Sequence, residues 1–308
     1  MTFSYTIVQG LSEMAGDQKL PGDRYETGGR KGLALHLVAI FAAAIVLLII
    51  AGGILLNEAG KYPQPVLIKS PGERDVLYQV STIDALVLGA YDGVQSAGEI
   101  EKHGDFGIGT FEALDGEMIV IDGRYYQVTS DGSVHTVDPS IMVPFATVTF
   151  FENDMTILVS GAGNLSTFTN GIDKGLPSKN LIYGIRADAT FPDMVVRAIP
   201  RQEEPYPPLA EAATHQVVTR LSNTSGTIVG FYFPAFMKGV NMPGYHLHYI
   251  SADRKNGGHI LDFTTADTPL VVKIDQTPDF SMSAPTTGDF AGMDFSGDVS
   301  ADLQQAER

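Results

Sequence analysis

From Gly32 to Asn57 the chain reads GLALHLVAIFAAAIVLLIIAGGILLN, a run without a single Asp, Glu, Lys or Arg. At about 1.5 Å of rise per residue, a helix of that length reaches the ~30 Å hydrocarbon thickness of a bilayer. The run predicts one membrane span and so divides the chain. Residues 1–31 read as a polar cytoplasmic tail, 58–74 as a linker punctuated by Pro and Gly, 75–276 as the folded region, and 277–308 as a polar C-terminal tail. Arg30 and Lys31 precede the span and Glu58 follows it. That asymmetry puts residues 58 onward outside the cytoplasm. Cleaved signal peptides carry an apolar core of about 7–15 residues. This run is longer, so an uncleaved anchor is expected, with cleavage after Gly53 and export as the alternative.

Composition removes several classes of function. Acidic residues outnumber basic ones 36 to 20, for a net charge of −16, and no Lys/Arg cluster could neutralise a row of phosphates. Nucleic acid is therefore not an expected partner. The chain has no cysteine, which rules out disulfides, thiolate metal ligands, a catalytic thiol and a lipoprotein-type anchor. Any metal must be held by nitrogen and oxygen.

GEMIVIDGRYYQVTSDGSVHTV (116–137) holds two Asp-Gly pairs between alternating apolar residues, a strong hairpin signal. FATVTFF and MTILVS continue the β character. LIYGIRADATFPDMVVRAIPRQ reads as two further strands, PPLAEAATHQVVTRLS as a helix and GTIVGFYFPAF as a strand. The expected class is α+β: a mixed, mostly antiparallel sheet core with a few helices, preceded by the one N-terminal transmembrane helix. The tail from Thr277 is rich in Ser, Thr, Gly and Asp and reads as mostly flexible. DVSADLQQAER at its end is a candidate short helix.

The densest chemistry lies in GYHLHYISADRKNGGHILDF (244–263), which contains three of the seven histidines. Strand alternation sends His246 and His248 to one face and Leu247 and Tyr249 to the other. SADRKNGG has the composition of a reversing turn, which returns HILDF as an antiparallel partner and brings His259 near the same face. Three neutral imidazoles with open positions beside them are the usual shell of a catalytic Zn²⁺. The same set also suits Fe, Ni or Cu. A cupin would carry a Glu three or four residues after the pair, where this chain has Ser251 and Ala252. His103, His135 and His215 stand alone and His36 falls in the apolar run. GAGNLS (161–166) imitates a dinucleotide loop but has Ser166 for its last glycine.

The string at 244–263 resembles the zinc-binding signature of the α-acetolactate decarboxylase family. GDFGIGTFEALDGEMIVIDGRYYQV (104–128) and VVRAIPRQEEPYPPLAEA (195–212) resemble two more of its blocks, in the right order. The resemblance implies Zn²⁺-dependent conversion of 2-acetolactate to acetoin and CO₂, with His246, His248 and His259 as metal ligands. It also implies Glu117, in LDGEM, as an essential carboxylate and Arg197, in VVRAIP, as the active-site arginine. Glu307 matches a glutamate close to the family's C-terminus. Thr110, in GTF, is a candidate pocket-lining residue, and the family is expected to form homodimers. The apolar anchor departs from the family pattern. Two other readings stand beside this one: a metal-dependent lyase or isomerase for another small keto acid, and a non-catalytic metal-binding periplasmic module.

Overall fold

The computed structural model of the chain describes residues 75–159, 163–286 and 288–307. The expected tail (1–31), span (32–57) and linker (58–74) lie outside the described residues, as do Gly161 and Ala162 of the glycine-rich loop. Among the described residues no helix is long and apolar enough to cross a membrane.

Two sheets build the fold. The first contains β1 (Val76–Val80), β3 (Phe106–Thr110), β4 (Glu117–Ile121), β5 (Arg124–Val128), β6 (Val134–Thr136), β8 (Phe145–Thr149) and β15 (Asp279–Ser283). Their spatial order is β15-β1-β8-β3-β4-β5-β6, and β2 (Gln95–Ser96) with β7 (Met142–Val143) forms a separate two-stranded ladder. The second contains β9 (Met155–Val159), β10 (Tyr183–Ala198), β11 (Val217–Phe233), β12 (Gly244–Ser251), β13 (Gly257–Thr264) and β14 (Leu270–Gln276), in the order β11-β12-β13-β10-β14-β9. An extra β10–β11 pairing closes β10, β11, β12 and β13 on themselves. The helices are short: α1 (Ile83–Val87), α2 (Ala97–Ile100), α3 (Leu165–Gly175), α4 (Leu209–Ala212), α5 (Asp289–Gly292) and α6 (Ser300–Ala306). All pairings but β1–β15 are antiparallel, as the α+β reading expects.

Local chemistry explains the best-read element. Asp122 and Gly123 both take positive φ, 51° and 71°, the geometry that lets a two-residue loop follow the strands' twist. The packing is then set by alternation. Ile119 and Ile121 of β4 meet Val229, Phe231 and Ile250 in the core between the sheets. Met118 and Val120 pack on the other side of the first sheet with Ala97 and Ile100 of α2. Leu247, Tyr249, Phe191 and Phe263 fill the closed part of the second sheet.

Three segments differ from the sequence reading. Residues 183–198 form one long strand rather than two, because β11 pairs along its whole length. The helix expected over PPLAEAATHQVVTRLS lasts only from Leu209 to Ala212. From Val217 the β-branched residues Val217, Val218 and Thr219 join β11, so pairing with β10 outweighs local helix propensity. The tail is not mostly loose: Asp279–Ser283 pairs in parallel with β1, and α6 buries Leu303 and Ala306 against α1 and α4.

Candidate functional site

Register brings the site together. His248 on β12 lies opposite His259 on β13, and His259 lies opposite Arg197 on β10, so the three form one row across the sheet. His246 sits two residues along β12, on the same face. The three imidazoles are buried. Their ring centroids are 5.2, 5.1 and 5.4 Å apart, and each offers a nitrogen within 4.8 Å of the others'. Gly258 makes this approach feasible. Its φ is +139°, and a Cβ there would stand 2.5 Å from the Arg197 carbonyl.

The first sheet supplies the facing wall. Glu117 opens β4 opposite Thr110 of β3 and is buried. Its Oε1 accepts a hydrogen bond from Arg197 Nη1, and its Oε2 stands 3.7 Å from His248 Nε2. His248 Nδ1 lies 3.1 Å from the Met118 carbonyl, a contact that only an Nδ1–H can make. The tautomer is thereby fixed with the Nε2 lone pair turned into the site. That Nε2 has no hydrogen-bond partner, and neither do His246 Nδ1 and His259 Nδ1.

The chain end closes the third side. Glu307 follows α6, with Oε2 at 3.1 Å from His259 Nε2 and 3.9 Å from His246 Nε2. Arg197 Nη2 donates to the Ala306 carbonyl at 3.2 Å and stands 3.8 Å from Glu307 Oε1. Thr110 is buried on the cavity wall, and its hydroxyl donates to the Gly116 carbonyl at 2.7 Å. The cavity lined by Thr110, Glu117, Arg197, His246, His248 and Glu307 measures about 30 Å³. A larger groove of about 490 Å³ opens on the far side of His259 and Glu307, lined also by Asn164, Ser166, Tyr245 and Asp262.

Electrostatics favour neutral imidazoles. Burial holds His248 and His259 well below the ordinary histidine value, with the neighbouring rings and Arg197 pushing the same way. His246 is lowered mainly by burial. Burial pushes Glu117 up to about 7, against the opposing pull of Arg197. Three neutral, buried rings with free nitrogen atoms fit a divalent cation of the kind that takes imidazole.

All seven residues singled out in the sequence converge here: Thr110, Glu117, Arg197, His246, His248, His259 and Glu307. His103, His135 and His215 are exposed and take no part. Sequence reasoning missed two features. One is the Met118 carbonyl, which has no side-chain signature. The other is an apolar wall from Leu86, Leu114, Phe145 and Leu209. Its residues read as ordinary core.

Comparison with known proteins shows the family. The sequence profile of a family described as Alpha-acetolactate decarboxylase matches residues 77–297. Alpha-acetolactate decarboxylase of Methanosarcina mazei is 47% identical over 234 residues, covering 76% of this chain and 81% of that protein. The Methylococcus capsulatus protein of the same name is 43% identical over 75% of this chain and 88% of its own length. The crystal structure of alpha-acetolactate decarboxylase from Bacillus subtilis strain 168 superposes with a TM-score of 0.72 at 40% identity. It covers 75% of this chain and 99% of that one. Glu307 lies beyond the matched profile, so its place at the histidines comes from the docking of α6. Fold, ordered motifs and relatives agree: the chain belongs to the alpha-acetolactate decarboxylase family.

Proposed function

We propose that the chain decarboxylates 2-acetolactate to acetoin and CO₂, and that His246, His248 and His259 hold the zinc ion this requires. The observation that carries the proposal is the trio of buried, neutral imidazoles with convergent nitrogens beside the Arg197–Glu117 pair. The relatives' names supply the substrate. Bound there, a zinc ion would supply Lewis-acid stabilisation of negative charge.

The chain's own groups account for the rest. Neutral imidazole ligands add no negative charge of their own to the site. Loss of CO₂ from a β-keto acid leaves an electron-rich enediolate, which groups already oriented in a water-poor site stabilise best. Arg197 is buried and its Nε has no partner, so a donor remains for a substrate oxygen while Nη1 stays on Glu117. Burial favours the protonated form of Glu117, which can deliver its proton to the carbon that lost CO₂. Glu307, on the opposite side of the histidines, is the second carboxylate within reach. Thr110 spends its hydroxyl hydrogen on Gly116 and shapes the turn between Thr110 and Glu117.

The test is acetoin formation by purified protein, with and without exhaustive chelation, followed by zinc readdition. Activity that survives metal removal defeats the metal assignment. Absence of acetoin from 2-acetolactate, with turnover of another small keto acid, transfers the site to a related lyase or isomerase. A protein that binds zinc and turns over nothing is the non-catalytic module. From the uncharged run 32–57 we further propose a single membrane anchor with the catalytic region outside the cytoplasm, and from the family a homodimer. Activity recovered in a soluble cytoplasmic fraction overturns the first, and a monomer by light scattering overturns the second.

A further inference from the structure

The connection between β3 and β4 carries backbone strain at a position the catalytic assignment does not use. Ala113 and Leu114 both adopt left-handed φ, 62° and 56°. For side chains other than glycine this conformation is disfavoured, and it persists only where the surroundings enforce it. Here they do. Ala113 N donates to the Tyr91 carbonyl at 2.9 Å, Gln202 N donates to the Ala113 carbonyl at 2.7 Å, and Gly116 N donates to the Ile199 carbonyl at 3.2 Å.

The strained pair carries Leu114, buried, to the cavity that Glu117, Arg197, His246 and His248 also line. Most of the remaining lining is apolar: Leu114 together with Ile83 and Leu86 of α1, Phe145 of β8, Ile199 just after β10, and Leu209 of α4. A 2-hydroxy-3-keto acid presents its oxygens to the polar side, so its C2 alkyl group has only this wall to meet. The cavity as a whole, polar and apolar sides together, measures about 30 Å³, so a bound acid leaves no spare room beside this wall.

We infer that Leu114, aided by Leu86, is a specificity-determining residue that limits the C2 alkyl substituent of the substrate to the smallest groups. The inference rests on the decarboxylase reading above. A methyl group is the smallest substituent that meets this wall, and each further carbon presses on Leu114. The hydrogen bonds that enforce the loop keep that side chain from yielding.

The experiment compares kcat/KM for CO₂ release from the C2-methyl, C2-ethyl and C2-propyl acids, using zinc-loaded full-length protein. The wild-type chain should lose activity steeply from methyl to propyl. Leu114→Ala should raise the propyl-to-methyl ratio on the order of tenfold, the worth of a methylene or two in an apolar pocket. Leu86→Ala, on the same wall, should move the ratio in the same direction and decides the matter should Leu114→Ala fail to fold. Ile274→Ala, in the separate core of the second sheet, should lower the melting temperature and leave the ratio unchanged. Ratios within twofold of wild type in folded wall variants overturn the inference and leave the decarboxylase reading intact. So does an equal shift in Ile274→Ala, which would mean general loosening. A wild-type protein inactive on the methyl acid overturns both.

Discussion

Replacing Arg197 with Met keeps the length of the side chain and removes its charge. Arg197 donates to Glu117 and to the Ala306 carbonyl, and it is the only cation among the groups that set the proton affinity of Glu117. Burial raises that carboxyl from 4.5 to about 7, and Arg197 restrains a further rise. In the variant Glu117 therefore titrates above 7. A carboxyl whose folded value is raised contributes its stability in full below the unfolded value, near 4.5, and loses it as pH climbs through the folded value. Wild-type protein stops losing stability by this route near pH 7, whereas the variant goes on losing about 1.4 kcal/mol per pH unit. In metal-free protein at about pH 6 the gap should be roughly 1–3 kcal/mol, the worth of lost hydrogen bonds to a mostly protonated acid and a carbonyl. By about pH 8.5 it should widen by a further ~1–2 kcal/mol and approach the cost of breaking a buried ion pair. Burial, the largest cause for all three histidines, keeps them lowered in both proteins, and losing Arg197 removes one further lowering influence; their response belongs to the acid end of the range, whereas the Glu117 effect grows toward its alkaline end. Asp275, raised to about 8 by its own burial and by Asp154, titrates alike in both proteins and cancels. Urea unfolding of the chelated proteins across this range is the assay. A gap that stays constant from about pH 6 to 8.5 would refute the argument, since Glu117 would then not be held by Arg197.

Three further outcomes follow from the geometry. His259→Ala should lose bound zinc on dialysis and reduce acetoin formation to background, while His135→Ala, at an exposed ring, should change neither; elemental analysis and a rate assay decide. Glu307→Gln should retain zinc, because the imidazole trio is intact, and lower kcat by on the order of 10²-fold or more, the usual contribution of a positioned proton donor. Unchanged kcat would remove Glu307 from the chemistry. Gly258→Ala sets a Cβ 2.5 Å from the Arg197 carbonyl at a φ of +139°. It should cost at least about 2 kcal/mol by chemical denaturation and weaken zinc binding with it, and a melting curve identical to wild type would contradict the β10–β13 register.

How much of this was legible in the sequence depends on how local each piece is. The histidine trio was readable from spacing because 246, 248 and 259 lie on one hairpin, where period-two alternation and a turn decide which side chains meet. Glu117 was not. Every residue of β4, from Glu117 to Ile121, is buried, because packed layers cover both faces of the strand. Alternation then carries no information about exposure, so spacing alone could not place Glu117 in the site. Arg197 meets Glu117 across 80 residues of chain, a pairing that no periodicity encodes; both residues entered through likeness to a family. The tail misled for the same reason. Ser-, Thr-, Gly- and Asp-rich composition describes local preference, whereas β15 exists because β1 offers an edge and α6 because α1 and α4 offer an apolar seat.

Much of what specifies the site lies in residues that never touch it. His246 and His248 face the first sheet because Leu247 and Tyr249, on the alternate positions, are held in the core of the second with Phe191, Ile260 and Phe263. Ile250, next along the histidine face, packs against Val229 and Phe231 between the sheets. A slip of one residue between β12 and its neighbours would exchange the faces. Leu247 would then point at the Met118 carbonyl, and two imidazoles would lose their polar surroundings inside an aromatic core. Burying a ring nitrogen without a partner costs roughly 1–3 kcal/mol. Leu247 and Tyr249 would in turn leave the apolar cluster they fill and face the polar groups of the site. Both penalties act in the same direction, so the apolar positions hold the register. The imidazoles can therefore converge before any ligand arrives, with their free nitrogens oriented by packing.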